Sequence, residues 1–98
     1  MKDLISNLNK TFESRIRLGI MSVLIVNETY DFKNLKETLN VTDGNLASHL
    51  KALEEKGMII VNKQFIGRKP NTSYSATQTG ISDFQQHLKA LEDLIKAH

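Results

Sequence analysis

Four features of the segment from Leu35 to Phe65 predict an α+β fold that is mainly helical. A short amphipathic helix is followed by a tight turn, then by a capped second helix, and then by a strand rich in β-branched residues. Because this order is typical of a helix-turn-helix with an attached β-hairpin, the sequence predicts a winged helix-turn-helix with a two-stranded β wing. We expect N- and C-terminal helices beside it to serve in dimerisation.

The composition indicates one small globular domain that spans residues 1–98. A monomer of this size buries only about 60–65% of the surface of its unfolded chain, so further burial in a dimer would add stability. The absence of cysteine excludes disulfides and thiolate metal sites. The N-terminal segment has no uninterrupted apolar run, so neither a signal peptide nor a membrane span is expected, and the predicted compartment is the cytoplasm.

Apolar residues at spacings of three and four predict helices in the first part of the chain. One helix is predicted over Lys2 to Phe12. A second helix, which is apolar on much of its circumference and therefore central to the core, is predicted from a cap at Ser14 to about Val26. Phe32 is predicted to begin a short extended segment, and Leu35–Leu39 to form a short helix.

The helix-turn-helix is predicted over about residues 33–57, and its second helix has a recognisable start and end. The Thr42 hydroxyl can accept a hydrogen bond from an amide of the first turn, and Asp43 suits the positive end of the helix dipole. Gly57 stands where a left-handed C-cap is expected. The buried stripe of this helix is predicted to consist of Leu46, Leu50 and Leu53.

The wing is predicted over about residues 58–76, and the C-terminal helix over about residues 78–97. Met58–Phe65 is interpreted as the outgoing strand, Ile66–Pro70 as the hairpin tip and Asn71–Ala76 as the return strand. Thr77 can cap the last helix.

The face of the second helix that lies opposite its leucine stripe is small and polar, which suits entry into a major groove about 12 Å wide. Asn45 and Ser48 can donate and accept hydrogen bonds at base edges. Thr42 and Gly44 offer amides at the helix N-terminus, where phosphates bind, and Lys51 can reach a phosphate. The alternative is the solvent-exposed face of an ordinary helix.

The three histidines do not indicate a metal site. His49 is predicted at the boundary of the core, where packing on the preceding helix, with donation to a phosphate, is preferred to metal ligation. His87 and His98 are about three helical turns apart, too far to share a metal ion within one helix. No metal and no cofactor is therefore expected.

Positive charge is concentrated on the predicted wing, because residues 56–82 include no acidic residue. Arg68 at the hairpin tip is placed to enter the flanking minor groove, and Lys63 and Lys69 are placed to contact phosphates. Thr72 completes the group of wing residues predicted to bind DNA. The alternative is a solvent-exposed hairpin whose lysine and arginine residues serve only for solubility.

A heptad seam runs along the last helix, with apolar residues at spacings of three and four. It consists of Ile81, Phe84, Leu88, Leu91 and Ile95. Leu4 and Leu8 of the N-terminal helix could cover part of this seam, and a second copy of the chain could cover the rest; a wholly intramolecular seam remains the alternative. A two-fold dimer would place two recognition helices about 34 Å apart, one turn of DNA, to read a palindrome.

Together these motifs resemble the small winged-helix transcriptional regulators related to the MarR and ArsR families, above all their compact stand-alone members. The matching motifs are Asp31–Leu35, Leu39–Leu50, Leu53–Gly57, the wing Lys63–Pro70 with Thr72 and Tyr74, and Thr77–Gly80. They cover nearly the whole chain. The resemblance implies a dimeric regulator whose second helix of the helix-turn-helix enters the major groove and whose wing touches the neighbouring minor groove.

The resemblance also assigns residues by position. On the DNA-reading helix it places Thr42, Asp43, Gly44, Asn45, Ser48, His49 and Lys51, and on the wing tip Arg68 and Lys69. The chain departs from larger relatives in two respects. It lacks the cysteines of metal-sensing and thiol-sensing members, and it lacks the extra helical length that encloses an effector pocket, so the small-molecule effector is unknown.

The sequence therefore predicts a homodimeric transcriptional regulator that binds double-stranded DNA sequence-specifically. The alternative is a winged helix that serves as a protein–protein interaction module without binding DNA, which would not need the cations Lys63, Arg68 and Lys69. An enzyme is not expected, because the histidines are scattered, no cysteine nucleophile is present and no glycine-rich phosphate loop follows a strand.

Overall fold

A computed structural model describes residues 3–97 of the chain. In this part it has four α-helices: α1 (Arg15–Leu24), α2 (Phe32–Leu39), α3 (Asp43–Glu55) and α4 (Gln78–Lys96). Its strands β1 (Tyr30–Asp31), β2 (Ile59–Ile66) and β3 (Lys69–Ala76) form one antiparallel sheet in the order β1-β3-β2. The predicted α+β fold, mainly helical and with a winged helix-turn-helix, is confirmed.

The sheet has one more strand than the sequence predicted. Tyr30 pairs with Tyr74 and Asp31 with Ser73, so β1 adds a short third strand at the base of the hairpin. Phe32 was expected to begin an extended segment, but it begins α2. The reason is that the Asp31 side chain accepts a hydrogen bond from the Asn34 amide (2.7 Å) and so caps the helix at this point.

The predicted N-terminal helix is wrong over the residues described, and Lys2 lies outside them. In its place are two 3-10 turns, Ile5–Asn7 and Lys10–Phe12, separated by an extended Leu8. The Asn9 side chain caps the second turn, and the Asn9 amide donates to Nδ1 of the buried His87 on α4 (3.0 Å). The apolar spacing predicts a continuous helix, but the hydrogen bond between Asn9 and the distant His87 keeps the backbone at Leu8 extended.

The predicted helix caps are confirmed where they are local. The Ser14 side chain accepts from the Arg17 amide (3.3 Å) at the start of α1, and Thr42 accepts from the Asn45 amide (3.2 Å) at the start of α3. Gly57 follows α3 with φ +74°, the left-handed conformation expected of a C-cap. Helix α1 ends at Leu24, two residues before the predicted end.

The core lies where α1, α3 and α4 meet the sheet. Leu46, Leu50 and Leu53 form the buried stripe of α3, as predicted. The rings of Phe12 and Phe84 meet edge to face with centroids 5.2 Å apart. Phe84 is only 1% exposed, so its assignment to a dimer seam is corrected: its ring fills the core of its own chain.

The start of α4 is fixed against the junction between α3 and β2. Thr77 caps α4 by accepting from the Gly80 amide (2.9 Å), while its hydroxyl donates to the Gly57 carbonyl (2.6 Å) and its amide to the Met58 carbonyl (3.0 Å). Gly80 lies so close to Met58 that an added Cβ would stand 2.0 Å from the Met58 oxygen. Only a residue without a side chain allows α4 to pack at this distance.

Candidate nucleic-acid interface

The exposed surface of α3 begins at a well-capped N-terminus. Thr42 has extended backbone angles (φ −78°, ψ 157°) and leaves the first amides of the helix facing outward, Gly44 among them. Asp43 of the first turn forms an ion pair with Lys36 of α2 (2.8 Å). This pair joins the two helices of the helix-turn-helix at the surface, where such a contact contributes at most about 1 kcal/mol.

Beyond its first turn, α3 presents a small polar surface. Asn45, Ser48 and Lys51 are exposed, as the sequence predicted for the reading face, and Ala47 is exposed beside them. The added Cβ of an alanine at position 44 would meet nothing within 4 Å. The exposed surface of the first two turns of this helix therefore consists of small residues.

His49 is held in one orientation by a residue that the sequence did not single out. Its Nδ1 accepts a hydrogen bond from Nε of Arg17 on α1 (3.0 Å), and Nη1 of Arg17 also donates to the Thr11 carbonyl (3.3 Å). Because Nδ1 is the acceptor, the neutral imidazole carries its proton on Nε2. The half-buried position of His49 at the core boundary agrees with the prediction, but its partner lies on α1.

A prediction for pH dependence follows from this contact. Burial, and then the positive charge of Arg17, lower the pKa of His49 below its ordinary value of 6.5. The unfolded chain therefore binds the proton more readily, and the stability that His49 contributes is complete above pH 6.5 and is lost as the pH falls through and below that value. We expect the free energy of unfolding of the wild type to decrease between about pH 7.5 and about pH 5.

The control is His49→Gln, whose amide oxygen can accept from Arg17 but does not titrate. Urea denaturation of both proteins at each pH gives the difference that belongs to His49 alone. We expect the wild type to lose more stability than the variant on acidification. Equal losses in the two proteins would contradict the assigned contact.

A groove of about 250 Å³ separates α3 from the hairpin of β2 and β3. It brings three of the predicted DNA-binding residues together: Lys51 from α3, Lys63 from β2 and Thr72 from β3. Glu54 of α3 also lines this groove. Lys63 and Thr72 are direct cross-strand neighbours, so their positions are fixed by the register of the hairpin.

The hairpin tip is a two-residue turn that exposes its cations. Ile66 pairs with Lys69 across the turn, and Gly67 has φ +66° at the first central position, as a type II′ turn requires. Arg68 occupies the second position, and Arg68 and Lys69 are both exposed. Lys63, Arg68 and Lys69 thus lie on one hairpin with no acidic residue in β2, the turn or β3.

Three of the residues predicted for dimerisation form a separate exposed surface. Leu88, Leu91 and Ile95 are exposed by 41%, 37% and 76% on one side of α4, and we call them the α4 apolar face. Ile5 is 70% exposed, in the 3-10 turn that packs on α4. The remaining residues of the predicted seam, apart from Phe84, are half-buried: Leu4, Leu8 and Ile81.

Among residues 3–97, no group of three or more histidine, aspartate or glutamate side chains is arranged to hold a metal ion. None of the helices described there has the length and apolar character needed to span a membrane.

A family model for a winged-helix DNA-binding domain matches residues 16–95, from the first turn of α1 almost to the end of α4. The chain belongs to the winged-helix DNA-binding domain family. An uncharacterized protein of Methanocaldococcus jannaschii is 38% identical over 87 residues, which are 89% of this chain and 95% of that protein.

Solved structures share this winged-helix fold. A transcriptional regulator homologue from Pyrococcus horikoshii OT3 has a TM-score of 0.79 and 30% identity, with 94% of this chain and 96% of that chain covered. MepR of S. aureus, solved as a complex with DNA, has a TM-score of 0.76 and 13% identity, with 95% of this chain and 76% of that chain covered. The fold is that of transcriptional regulators of the MarR type.

In the winged-helix fold, α3 has the position of the second helix of the helix-turn-helix, and the β2–β3 hairpin has the position of the wing. Sequence reasoning missed two residues beside them. Arg17 lies 32 residues from His49, and no short-range pattern links the two. Phe65 was assigned to the apolar outgoing strand, but its side chain is exposed at the end of the wing. A signal was present in the alternation of β2, which puts Phe65 on the same side as Lys63.

Proposed function

We propose that this protein is a homodimeric transcriptional regulator that binds double-stranded DNA sequence-specifically, with α3 in the major groove and the wing at the flanking minor groove. One observation carries the proposal: Lys51, which belongs to the small polar surface of α3, shares a groove with Lys63 and Thr72 of a wing that carries cations and no acidic residue. Membership of the winged-helix DNA-binding family and the fold shared with DNA-bound MepR support it.

The proposed contacts on α3 divide into reading and positioning. Asn45 and Ser48 offer donors and acceptors to base edges, since both are exposed on the small face of the helix. The amides beside Thr42 and Gly44 hold a phosphate at the helix N-terminus. Asp43 positions this end of the helix through its ion pair with Lys36.

The remaining contacts supply charge or a directed donor. Lys51 and Lys63, on opposite sides of the groove, contact the phosphate backbone, and Thr72 lies with them. Lys69 binds a further phosphate and Arg68 enters the minor groove. The Nε2–H of His49, which the contact with Arg17 leaves as a donor, is directed to a phosphate.

The dimer is proposed from the α4 apolar face. The exposure of three large apolar side chains to water on one side of a helix is unfavourable in free energy, and a second copy of the chain would bury them. The chain is also elongated, at 58 × 25 × 21 Å, with a radius of gyration of 14.9 Å against about 13 Å for a compact domain of this length. A two-fold pair of such chains would present two α3 helices to one palindrome.

Removing the wing cations tests DNA binding directly. For Arg68→Ala with Lys69→Ala, we expect weaker binding to every duplex and a salt dependence whose log–log slope falls by about 0.9 for each phosphate that the variant no longer binds. Fluorescence anisotropy with labelled duplexes, measured over a range of KCl concentrations, gives both quantities. A charge-matched control is Lys10→Ala with Lys89→Ala, two exposed cations outside α3 and the wing, which should leave the slope close to that of the wild type.

The same assay separates contacts to base edges from contacts to phosphates. Asn45→Ala and Ser48→Ala should change the preference among duplexes recovered by selection from random sequence, at about 1–3 kcal/mol for each base that is no longer read, and leave the slope unchanged. A wild-type affinity that does not depend on salt would overturn the proposal and favour a protein–protein interaction module.

A further inference from the structure

The wing ends in an apolar pair that the proposed contacts do not use. Phe65 is 73% exposed, and its direct cross-strand partner Pro70 is exposed as well. A single exposed phenylalanine needs no explanation, since folded proteins expose much apolar surface. This pair differs because of where the register of the hairpin places it.

The register puts Phe65 and Pro70 on the side of the wing that faces α3. Side chains of a strand alternate between the two faces of a sheet, and Val61 and Lys63 of β2 line the groove beside α3. Phe65 follows in the same alternation. Across the hairpin, Thr72 lines the same groove, and Pro70 follows it toward the tip. The apolar pair thus continues the proposed DNA-facing surface outward.

The charges around this pair indicate its partner. Lys63 lies next to Phe65 on the same face, and Arg68 and Lys69 lie at the tip just beyond it. Residues 56–82 include no acidic residue to balance them; the acidic side chains placed nearby by other elements are Glu54, in the groove, and Asp31, which lies near Pro70 with Lys33 beside it. A second wing carrying the same cations would be repelled, whereas a polyanion would be attracted. An apolar pair surrounded by cations suits DNA, whose grooves expose sugar and base surfaces between two rows of phosphates.

We propose that Phe65 and Pro70 form an apolar wedge that enters the minor groove beside Arg68 and partly opens a base step while Lys63 and Lys69 hold the flanking phosphates. The proposal rests on DNA binding by this protein as proposed above. Phenylalanine and proline are among the side chains that proteins insert between base steps in the minor groove. Pyrimidine–purine steps open most easily, so the wedge would favour them at a position that α3 does not read.

The test compares Phe65→Ala with Ile66→Ala. Ile66 is 63% exposed and lies next to Phe65 on the opposite face of the wing, where it pairs with Lys69. The probe is a duplex of about 30 base pairs, recovered from random sequence by binding selection on the wild type. Versions of this duplex each carry 2-aminopurine at one of its TA or CA steps, because this fluorescent adenine analogue brightens when it loses stacking.

For the wild type we expect tight binding and brightening at one step. Phe65→Ala should lower the affinity about ten-fold or more, abolish the brightening and leave the salt slope unchanged, because every phosphate-binding cation is retained. Ile66→Ala should resemble the wild type. Both side chains are largely exposed, so the thermal unfolding midpoint should change little in either variant, which excludes misfolding as the cause.

The outcomes separate the inference from the proposed function. A wild type that binds no duplex overturns DNA binding and the wedge with it. The wedge alone is overturned if the wild type binds with the expected salt slope and Phe65→Ala shows the same affinity and the same brightening as Ile66→Ala. In that second case the pair would be a contact for another protein or a surface without a partner.

Discussion

Gly80→Ala should lower the free energy of unfolding by about 3 kcal/mol or more. The added methyl carbon would stand 2.0 Å from the Met58 oxygen and 2.9 Å from the Met58 carbonyl carbon. Both atoms belong to the backbone, and the same carbonyl accepts the hydrogen bond from the Thr77 amide that starts α4. Neither a rotamer change nor a small shift can relieve such a contact. Helix α4 must therefore move away from the α3–β2 junction, and the measurement is urea denaturation followed by circular dichroism.

Two other glycines provide a graded control for this prediction. At Gly44 an added Cβ meets nothing within 4 Å, so Gly44→Ala should leave the fold unchanged or stabilise α3 by up to about 1 kcal/mol. At Gly19 the nearest atom is Cδ2 of Leu39 at 2.8 Å, the end of a flexible side chain that can move. We expect the order of stability Gly44→Ala, then Gly19→Ala, then Gly80→Ala. A Gly80→Ala protein as stable as Gly44→Ala would show that α4 is not packed on Met58 as described.

Local interactions made much of this fold predictable from sequence. Ser14, Thr42 and Thr77 each cap a helix through a hydrogen bond to an amide three residues ahead. Such a bond depends on few other parts of the chain, so the residue type and its place before an apolar stripe are sufficient signals. The leucine stripe of α3 follows the same logic, because its period already defines which side of the helix is buried.

Contacts between distant residues account for most of what the sequence did not predict; the start of α2 at Phe32 is an exception, because the Asp31 cap that sets it is local. The N-terminal segment has helical spacing, but the bond between Asn9 and His87 joins residues 78 positions apart and fixes an extended backbone at Leu8. Strand β1 exists because Tyr30 meets Tyr74, which no local pattern indicates. The apolar residues of α4 provide another example. Their period indicates which residues share one side of the helix, but it does not indicate that Phe84 packs against Phe12 in the core of its own chain.

The candidate site divides in the same way. The small polar surface of α3 and the cations of the wing could be predicted, because helical and strand periods place them without knowledge of the rest of the fold. The groove that brings Lys51 and Lys63 together depends on how the hairpin packs against α3. The orientation of His49 depends on Arg17, and the exposure of Phe65 depends on how far the wing extends beyond the core.

The second large effect is expected on the α4 apolar face. Leu88→Glu with Leu91→Glu should convert a dimer into monomers, because two carboxylates on each chain would have to be buried opposite their own copies. Both leucines are more than a third exposed in the single chain, so the fold of the monomer should survive. Sedimentation velocity gives the molecular mass, and circular dichroism gives the helix content.

Loss of the dimer should in turn weaken DNA binding, since one α3 would then engage one half-site alone. Linked binding of two half-sites strengthens affinity by about 10²- to 10⁴-fold over a single one, so we expect a loss of this order on a palindromic duplex and a much smaller loss on a single half-site. Gln86→Glu is the control for an added carboxylate, because it places one on the side of α4 away from Leu88 and Leu91. A leucine variant that remains a dimer would contradict the proposal that the α4 apolar face is the dimer interface. A monomer that binds the palindrome as tightly as the wild type would show that one α3 and one wing are sufficient for DNA binding.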